Sequence, residues 1–306
     1  MRDILGKTKS SRRTRYLYQP TYSPVESRPN SPSNFDPIRA MRDSVLSLFR
    51  SCLKIKLKAR FTHLPTKFPE EPMIKSFLIE NLPQLGRYKR YLRAARCHYQ
   101  KKRESYSQHR EDLLFLKKLQ ESGCTPDNSS YVDIGSNHPS DLSNTYLLYR
   151  HGFRGILVDA NSELCELCEV FRPGDIVLNI GAGDKSAIMD FYVSKTPVLS
   201  TFNQFDKCHD RRLYKKYRLP IMRMDDALVS LLKKPISLLS VDVESLNLEV
   251  LRGCEGLLSH TYLVCIEYDD IQEKTSFEDI LKEYDFYEID DNGCNVIYQS
   301  RIFSIP

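Results

Sequence analysis

YVDIGSNHPSDLSNTYLLY, residues 131–149, is the stretch whose reading decides the fold. Tyr131, Val132 and Ile134 form a short apolar run broken by one acid, Asp133. Gly135 follows at once, then Ser136, Asn137, His138 and Pro139. Beyond them Leu142, Tyr146, Leu147 and Tyr149 recur at helical spacing behind an Asp/Ser-rich start. The pattern predicts a buried strand, a tight glycine turn and a helix, the unit that places a ligand at the carboxyl end of a parallel sheet. Gly135 lets the backbone take a positive φ and lets a ligand approach without meeting a Cβ.

Two nucleotide-type ligands use such a turn. A dinucleotide fingerprint wants G-x-G-x-x-G with a pyrophosphate on the helix N-terminus. Here the matching positions are Gly135, Asn137 and Ser140, so two of the three glycines are missing. A carboxylate at Asp133 would repel a pyrophosphate and suits a cationic ligand carrying an ammonium group, such as S-adenosylmethionine. On this stretch alone the methyl-donor reading stands ahead of the nicotinamide one.

Downstream, GILVDA ends in Asp159 where a second parallel strand would end, with a helix from Ser162. A carboxylate there can accept both ribose hydroxyls of an adenosine. DIVLNIGAGD reads as a third strand, with Gly181 and Gly183 permitting close approach and Asp184 as an adenine or capping contact. AIMDFYV alternates like an exposed-edge strand. SKTPVLSTFNQFDKCHDRRLYKKYRLP breaks periodicity and reads as a lid or substrate loop. IMRMDDALVSLL is a short strand and a helix starting near Asp225. ISLLSVDVESLNLEVLRG repeats the opening logic, with a buried strand, acids at Asp242 and Glu244, and a helix from Leu246. YLVCIEYDD is a further buried strand ending in Glu267, Asp269 and Asp270. A helix over 276–284 and a hairpin through Asp291, Asn292 and Gly293 close the chain. The expected class is α/β, a doubly wound, mostly parallel sheet ending in an antiparallel hairpin.

The formal charge of +5 hides an asymmetry. Residues 1–110 hold 25 Lys/Arg against 8 Asp/Glu, and residues 111–306 hold 20 against 32. Residues 1–40, basic and rich in Ser and Pro, have the composition of a disordered tail. Residues 41–104 are read as a basic, partly helical extension. Val45, Leu48, Phe49 and Cys52 keep helical spacing among Arg and Lys, which suits an anionic membrane surface or docking on the protein's own domain. Tyr88, Tyr91, Tyr99 and Tyr106 lie among basic residues, a pattern that also serves stacking on nucleic acid. A basic helix leading into the main domain is the plainer account. EDLLFLKKLQE, residues 111–121, should form a helix over one sheet face.

Nine cysteines sit mostly inside apolar runs, which favours reduced thiols and a cytoplasmic setting. Cys165 and Cys168 form the only C-x-x-C, without a second pair to complete a metal site, so no metal is expected. No run approaches the roughly 20 apolar residues of a membrane span. The expectation is a soluble chain, or one attached peripherally to a membrane.

Five pieces in order resemble the FkbM-type S-adenosylmethionine-dependent methyltransferases: SYSQHREDLLF, YVDIGSNHP, SNTYLLYRHGFRGILVDAN, LSTFN and LLSVDVESLNLEVLRG. The resemblance covers about residues 105–300, so 105–306 is expected to be the methyltransferase domain. It implies a class I methyltransferase (Rossmann-like) fold. The implied activity is O-methylation of a sugar, glycan or related small-molecule hydroxyl, without an obligatory metal. Carried over by position, Asp133, Gly135 and Asn137 would line the methionine end of the donor and Asp159 the ribose. Asp242 and Glu244 would stand at the site from the fourth strand, and Gly181, read above as permitting close approach, is also expected to bind the donor. Two positions depart from the family pattern: Pro139 replaces the last glycine of the donor turn, and Ser245 the glycine after D-V-E.

Methyl transfer is an in-line displacement in which alignment supplies much of the rate and a general base adds about 10²–10⁴. Candidate bases are His138, Glu244 and Asp242, with His138 titrating nearest neutral pH and also suited to holding the turn. A nucleic-acid methyltransferase and a non-catalytic binding module on the same fold remain as alternatives. The first lacks an Asn/Asp-Pro-Pro-aromatic motif, and the second sits poorly with the intact Asp133, Gly135, Asp159 and Asp242.

Overall fold

Strand β1 (Ser130–Ile134) lies in the interior of a sheet, and every one of its side chains from Tyr131 on is buried. Alternate residues face opposite ways along a strand. Val132 and Ile134 accordingly join one apolar cluster, while Tyr131 joins another across the sheet. A computed structural model describes residues 103–194, 200–202, 213–243 and 246–304. The readings of residues 1–40 and of nearly all of 41–104 therefore lie outside the described residues, as do Glu244, Ser245 and much of the expected lid.

Helix α1 (Glu111–Ser122) precedes β1 and ends at Gly123 in a left-handed conformation. After β1 come α2 (Tyr146–Arg150), β2 (Gly155–Val158), α3 (Ser162–Phe171), β3 (Ile176–Leu178) and β4 (Gly181–Gly183). Then follow β5 (Ala187–Ser194), β6 (Leu213–Arg223), α4 (Met224–Leu228), β7 (Ile236–Val241) and α5 (Asn247–Gly253). The chain closes through α6 (Glu255–Leu258), β8 (Thr261–Glu267), α7 (Ile271–Glu283), β9 (Phe286–Asp291) and β10 (Asn295–Ser300).

Seven strands form one sheet in the order β3-β2-β1-β7-β8-β10-β9. The first five run parallel, and β10 and β9 run antiparallel as the final hairpin. Phe115 and Leu119 of α1, Leu148 of α2 and Cys168 of α3 cover one face. Met224 and Leu228 of α4, Val250 and Leu251 of α5, and Phe277 and Leu281 of α7 cover the other. The expected doubly wound, mostly parallel sheet with its antiparallel end is thus the observed architecture.

Four local expectations are corrected. No helix follows the Gly135 turn directly, because Asn137 (φ 49°) and Leu142 (φ 56°) both take left-handed backbone. Only the five-residue α2 forms, and Leu142 is exposed rather than on its buried face. Ser, Asn and Asp in that segment offer the backbone local partners that compete with helix. DIVLNIGAGD is not one strand: β3 stays in the main sheet, while β4 pairs with β6 in a second sheet of order β4-β6-β5. The end of the expected lid, from Leu213, is strand β6, which pairs antiparallel with all of β5. Helix α7 starts at Ile271 rather than 276, since the Asp270 side chain accepts from the N–H groups of Gln272 and Glu273, both at 2.9 Å.

Candidate active site

The parallel strands carry their acids out at one end. Asp133 lies next to the end of β1, Asp159 follows β2, Asp242 follows β7 and Glu267 ends β8. All four line one cavity of about 250 Å³, with Gly135, Asn137, Asn161, Gly181, Phe191 and Phe202 also on its wall. Four carboxyl groups from four adjacent strands give that wall an acidic character.

The turn at Gly135 is fixed by backbone geometry. Its φ of +82° favours glycine, and a Cβ there would run into the carbonyl of Asp242. Glycine is therefore required by the approach of β7's exit. The Gly135 and Ser136 N–H groups donate to the Val158 carbonyl at 2.8 and 3.2 Å, which ties the turn to β2.

Asp159 knits that junction together. Its Oδ2 accepts from the Asn137 N–H at 2.8 Å and its Oδ1 from the Asn161 N–H at 2.7 Å. Burial pushes its carboxyl up to about 6, against the pull of those two N–H donors. Asp133 is buried, and burial raises its carboxyl too, opposed by the charge of Arg172 and by hydroxyl donors. At Gly181 an added Cβ would meet the Phe202 ring at 2.6 Å and Ile221 at 2.8 Å. Phe202 in turn packs on Phe191, ring centres 4.8 Å apart. These rings give the cavity an apolar part of its wall.

Asp242 and Glu267 make a carboxyl pair. Burial raises Asp242 well above the usual carboxylate range, and the charge of Glu267 and a hydrogen bond between the two side chains raise it further. Asn247 holds the backbone around them, accepting from the Val243 N–H at 2.9 Å and donating to the Glu267 carbonyl at 3.1 Å.

The structure thus brings Asp133, Gly135, Asn137, Asp159, Gly181 and Asp242 to one cavity. His138 is not on its wall. The ring Nδ1 instead accepts from the N–H groups of Ser140 at 3.3 Å and Asp141 at 3.0 Å, which holds the turn. Asp184 is also away from the cavity wall, and Glu244 lies outside the described residues. Glu267 is the residue missed as a site candidate. Its signal was the parallel reading of LLSVDV and LVCIEY, since Val241 pairs with Ile266 and the next residues are Asp242 and Glu267. Cys165 and Cys168 face inward, donating to the carbonyls of Asp159 and Asn137 at 3.3 and 3.7 Å, and burial raises both thiols. Among the described residues no group of three or more His, Cys, Asp and Glu could hold a metal ion.

A family model described as methyltransferase FkbM domain matches residues 133–291. Among solved structures, the chain is similar to a methyltransferase FkbM from Methylobacillus flagellatus KT, at 15% identity and TM-score 0.38, over 56% of this chain and 44% of that one. The chain thus spans less than half the length of that relative. A cofactor-bound protein from MTB matches at 12% identity and TM-score 0.38, over 77% and 99%. An O-methyltransferase from Bacillus cereus in complex with SAH matches at 10% identity and TM-score 0.37, over 74% and 96%. No curated protein matches the chain.

Proposed function

The chain belongs to the FkbM methyltransferase family, and on that premise we propose that it uses S-adenosylmethionine to methylate a hydroxyl of a sugar, glycan or related small molecule. The observation that carries the reading is the cavity at the carboxyl ends of β1, β2, β7 and β8, lined by four carboxyl groups. Its residues fit the donor. Asp159 spends one lone pair of each oxygen on a backbone N–H and faces the cavity, the requirement for accepting a ribose diol. Gly181, Phe191 and Phe202 offer an apolar wall for a flat ring, and Asp133 with the Gly135–Asn137 turn offers acid and backbone to an amino-acid end.

The bound donor supplies a methyl group on a positively charged sulfur. This chain's residues align the acceptor and take its proton. We assign the proton to Asp242, with Glu267 beside it keeping the pair's proton affinity high. His138 is the weaker candidate, since its Nδ1 already accepts from the turn and it stands off the cavity wall.

The reading is of a cytoplasmic enzyme. It is supported by the six described cysteines, all free, five of them buried. Among the described residues no helix is long and apolar enough to cross a membrane. Incubating the protein with methyl-labelled donor and fractionated cell extract tests the acceptor class. Label in a carbohydrate or small-molecule fraction, stable to ribonuclease, is expected. Label confined to RNA would overturn the assignment.

A further inference from the structure

Behind the acidic wall lies a buried polar cluster that the proposed chemistry leaves unused. Arg172, which closes α3, is fully buried, as are Thr145 at the start of α2 and Tyr131 in β1. A buried guanidinium is costly unless its N–H groups find partners. Nε donates to Asp175 Oδ2 at 2.7 Å, and Nη2 donates to the Tyr131 hydroxyl at 2.7 Å. Nη1 and Nη2 both donate to Thr145 Oγ1 at 3.0 Å.

Those bonds decide where the hydroxyl hydrogens go. A hydroxyl has one hydrogen and two acceptor positions. Two guanidinium donors fill the acceptor positions of Thr145, so its hydrogen is left for Asp133 Oδ2, which it contacts. The Tyr131 hydroxyl obeys the same rule, accepting from Arg172 and donating to Asp175 at 2.7 Å. Asp133 receives a second polar neighbour in Ser240. Its carboxyl is therefore fixed in rotation and supplied with hydrogen on its inner side, while it also lines the cavity.

We propose that Arg172 and Thr145 are positioning residues that fix the Asp133 carboxyl in place as the acceptor for the ammonium group of the donor's amino-acid end. The relay runs from guanidinium to hydroxyl to carboxylate to ligand. It rests on the donor reading above. The guanidinium stands one hydroxyl away from that carboxyl, bonded to the same Thr145 Oγ1 that contacts Asp133 Oδ2.

The test is calorimetric binding of two ligands to the full chain. S-adenosylhomocysteine carries the amino-acid end; 5′-methylthioadenosine shares the adenosine and thioether and lacks it. Thr145→Val keeps the side-chain shape and removes the hydroxyl. Affinity for S-adenosylhomocysteine should fall about ten- to a hundred-fold, the scale of a hydrogen bond to a charged group. Affinity for 5′-methylthioadenosine should stay unchanged, and Thr145→Ser should restore the first ligand. Thr145→Ala removes the same hydroxyl and is read the same way if the valine variant does not fold. Equal loss of both ligands would make the cluster merely structural and overturn the inference, as would undiminished binding of the first. Failure of the wild-type chain to bind either ligand would overturn the donor reading itself.

Discussion

Asp242 and Glu267 stand side by side at the ends of neighbouring parallel strands, one step past the Val241–Ile266 pair, with their carboxyl groups hydrogen-bonded. Two carboxyl groups this close do not both ionise readily, so the pair releases its protons in two separated steps. Asp242 is consequently raised well above the usual carboxylate range, by burial first and by Glu267 second. A base raised in this way holds a proton more tightly once it has taken one.

Labelled transfer to the active extract fraction, followed against pH, reads this pair. The acid limb should rise with an apparent pKa above that of an ordinary carboxyl group. Asp242→Asn should lower the rate by about 10²–10⁴. Glu267→Gln removes the neighbouring negative charge, so Asp242 loses its proton at lower pH and the limb moves to lower pH. An unmoved limb in Glu267→Gln would show that the pair does not govern proton transfer.

Asp159 ties donor binding to stability. Its carboxyl sits at about 6 in the folded chain, against an ordinary value of 3.8. The folded state therefore binds more protons between those values, so this residue's contribution is fully present below about pH 4 and is lost as pH rises through about 6. Asp159→Asn should flatten that decline in the ligand-free protein, by at most about 3 kcal/mol, and Asp159→Ala should weaken S-adenosylhomocysteine about ten- to a hundred-fold. Denaturant melts at pH 4.5 and about 7.5, with calorimetry alongside, check both. Equal slopes in the wild type and the asparagine variant, or unchanged affinity in the alanine variant, would remove Asp159 from the role.

Gly135 should reject any side chain. A left-handed φ costs a non-glycine residue about 1–2 kcal/mol, and a Cβ would also collide with the Asp242 carbonyl. Gly135→Ala should lower the melting temperature and weaken donor-analogue binding together, because relieving the collision displaces Asp242. A variant with wild-type melting and wild-type affinity would mean that the turn is neither tight nor part of the site.

The sheet was legible because its strands are apolar runs that end in acids. YVDI, ILVDA and LLSVDV each carry the marker at the point where the cavity lies. Glu267 escaped notice for a physical reason: what makes it a site residue is the register of β7 against β8, which reading along the chain does not display. The second sheet was hidden differently. Strand β6 carries Lys215, Lys216 and Arg218 on exposed positions, so its polar side read as a loop while Leu219 and Ile221 kept its buried face. The missing helix after Gly135 had a signal in Pro139 and the Asn, Ser and Asp around it, all turn formers, but the apolar spacing of Leu142 with Tyr146 outweighed them.

The basic front should be separable from the chemistry. Residues 1–102 carry most of the Lys/Arg excess, whereas the family match begins at Asp133. Arg103, the first of the described residues, pairs with Asp141 at 3.4 Å. Tyr106 is buried, and its N–H donates to Asp112 Oδ2 at 2.7 Å, so a cut past this point would open the domain. A chain beginning at Arg103 should therefore stay folded and bind S-adenosylhomocysteine as the full chain does. Its association with anionic vesicles or RNA should weaken, and that of the full chain should fall steeply with added salt, because exposed charges are strongly screened. Sedimentation with vesicles and RNA gel shifts at two salt concentrations measure this directly. Failure of the shortened chain to fold would assign part of the preceding segment to the core. Retention of the same salt-sensitive association would place the partner site in the acidic half instead.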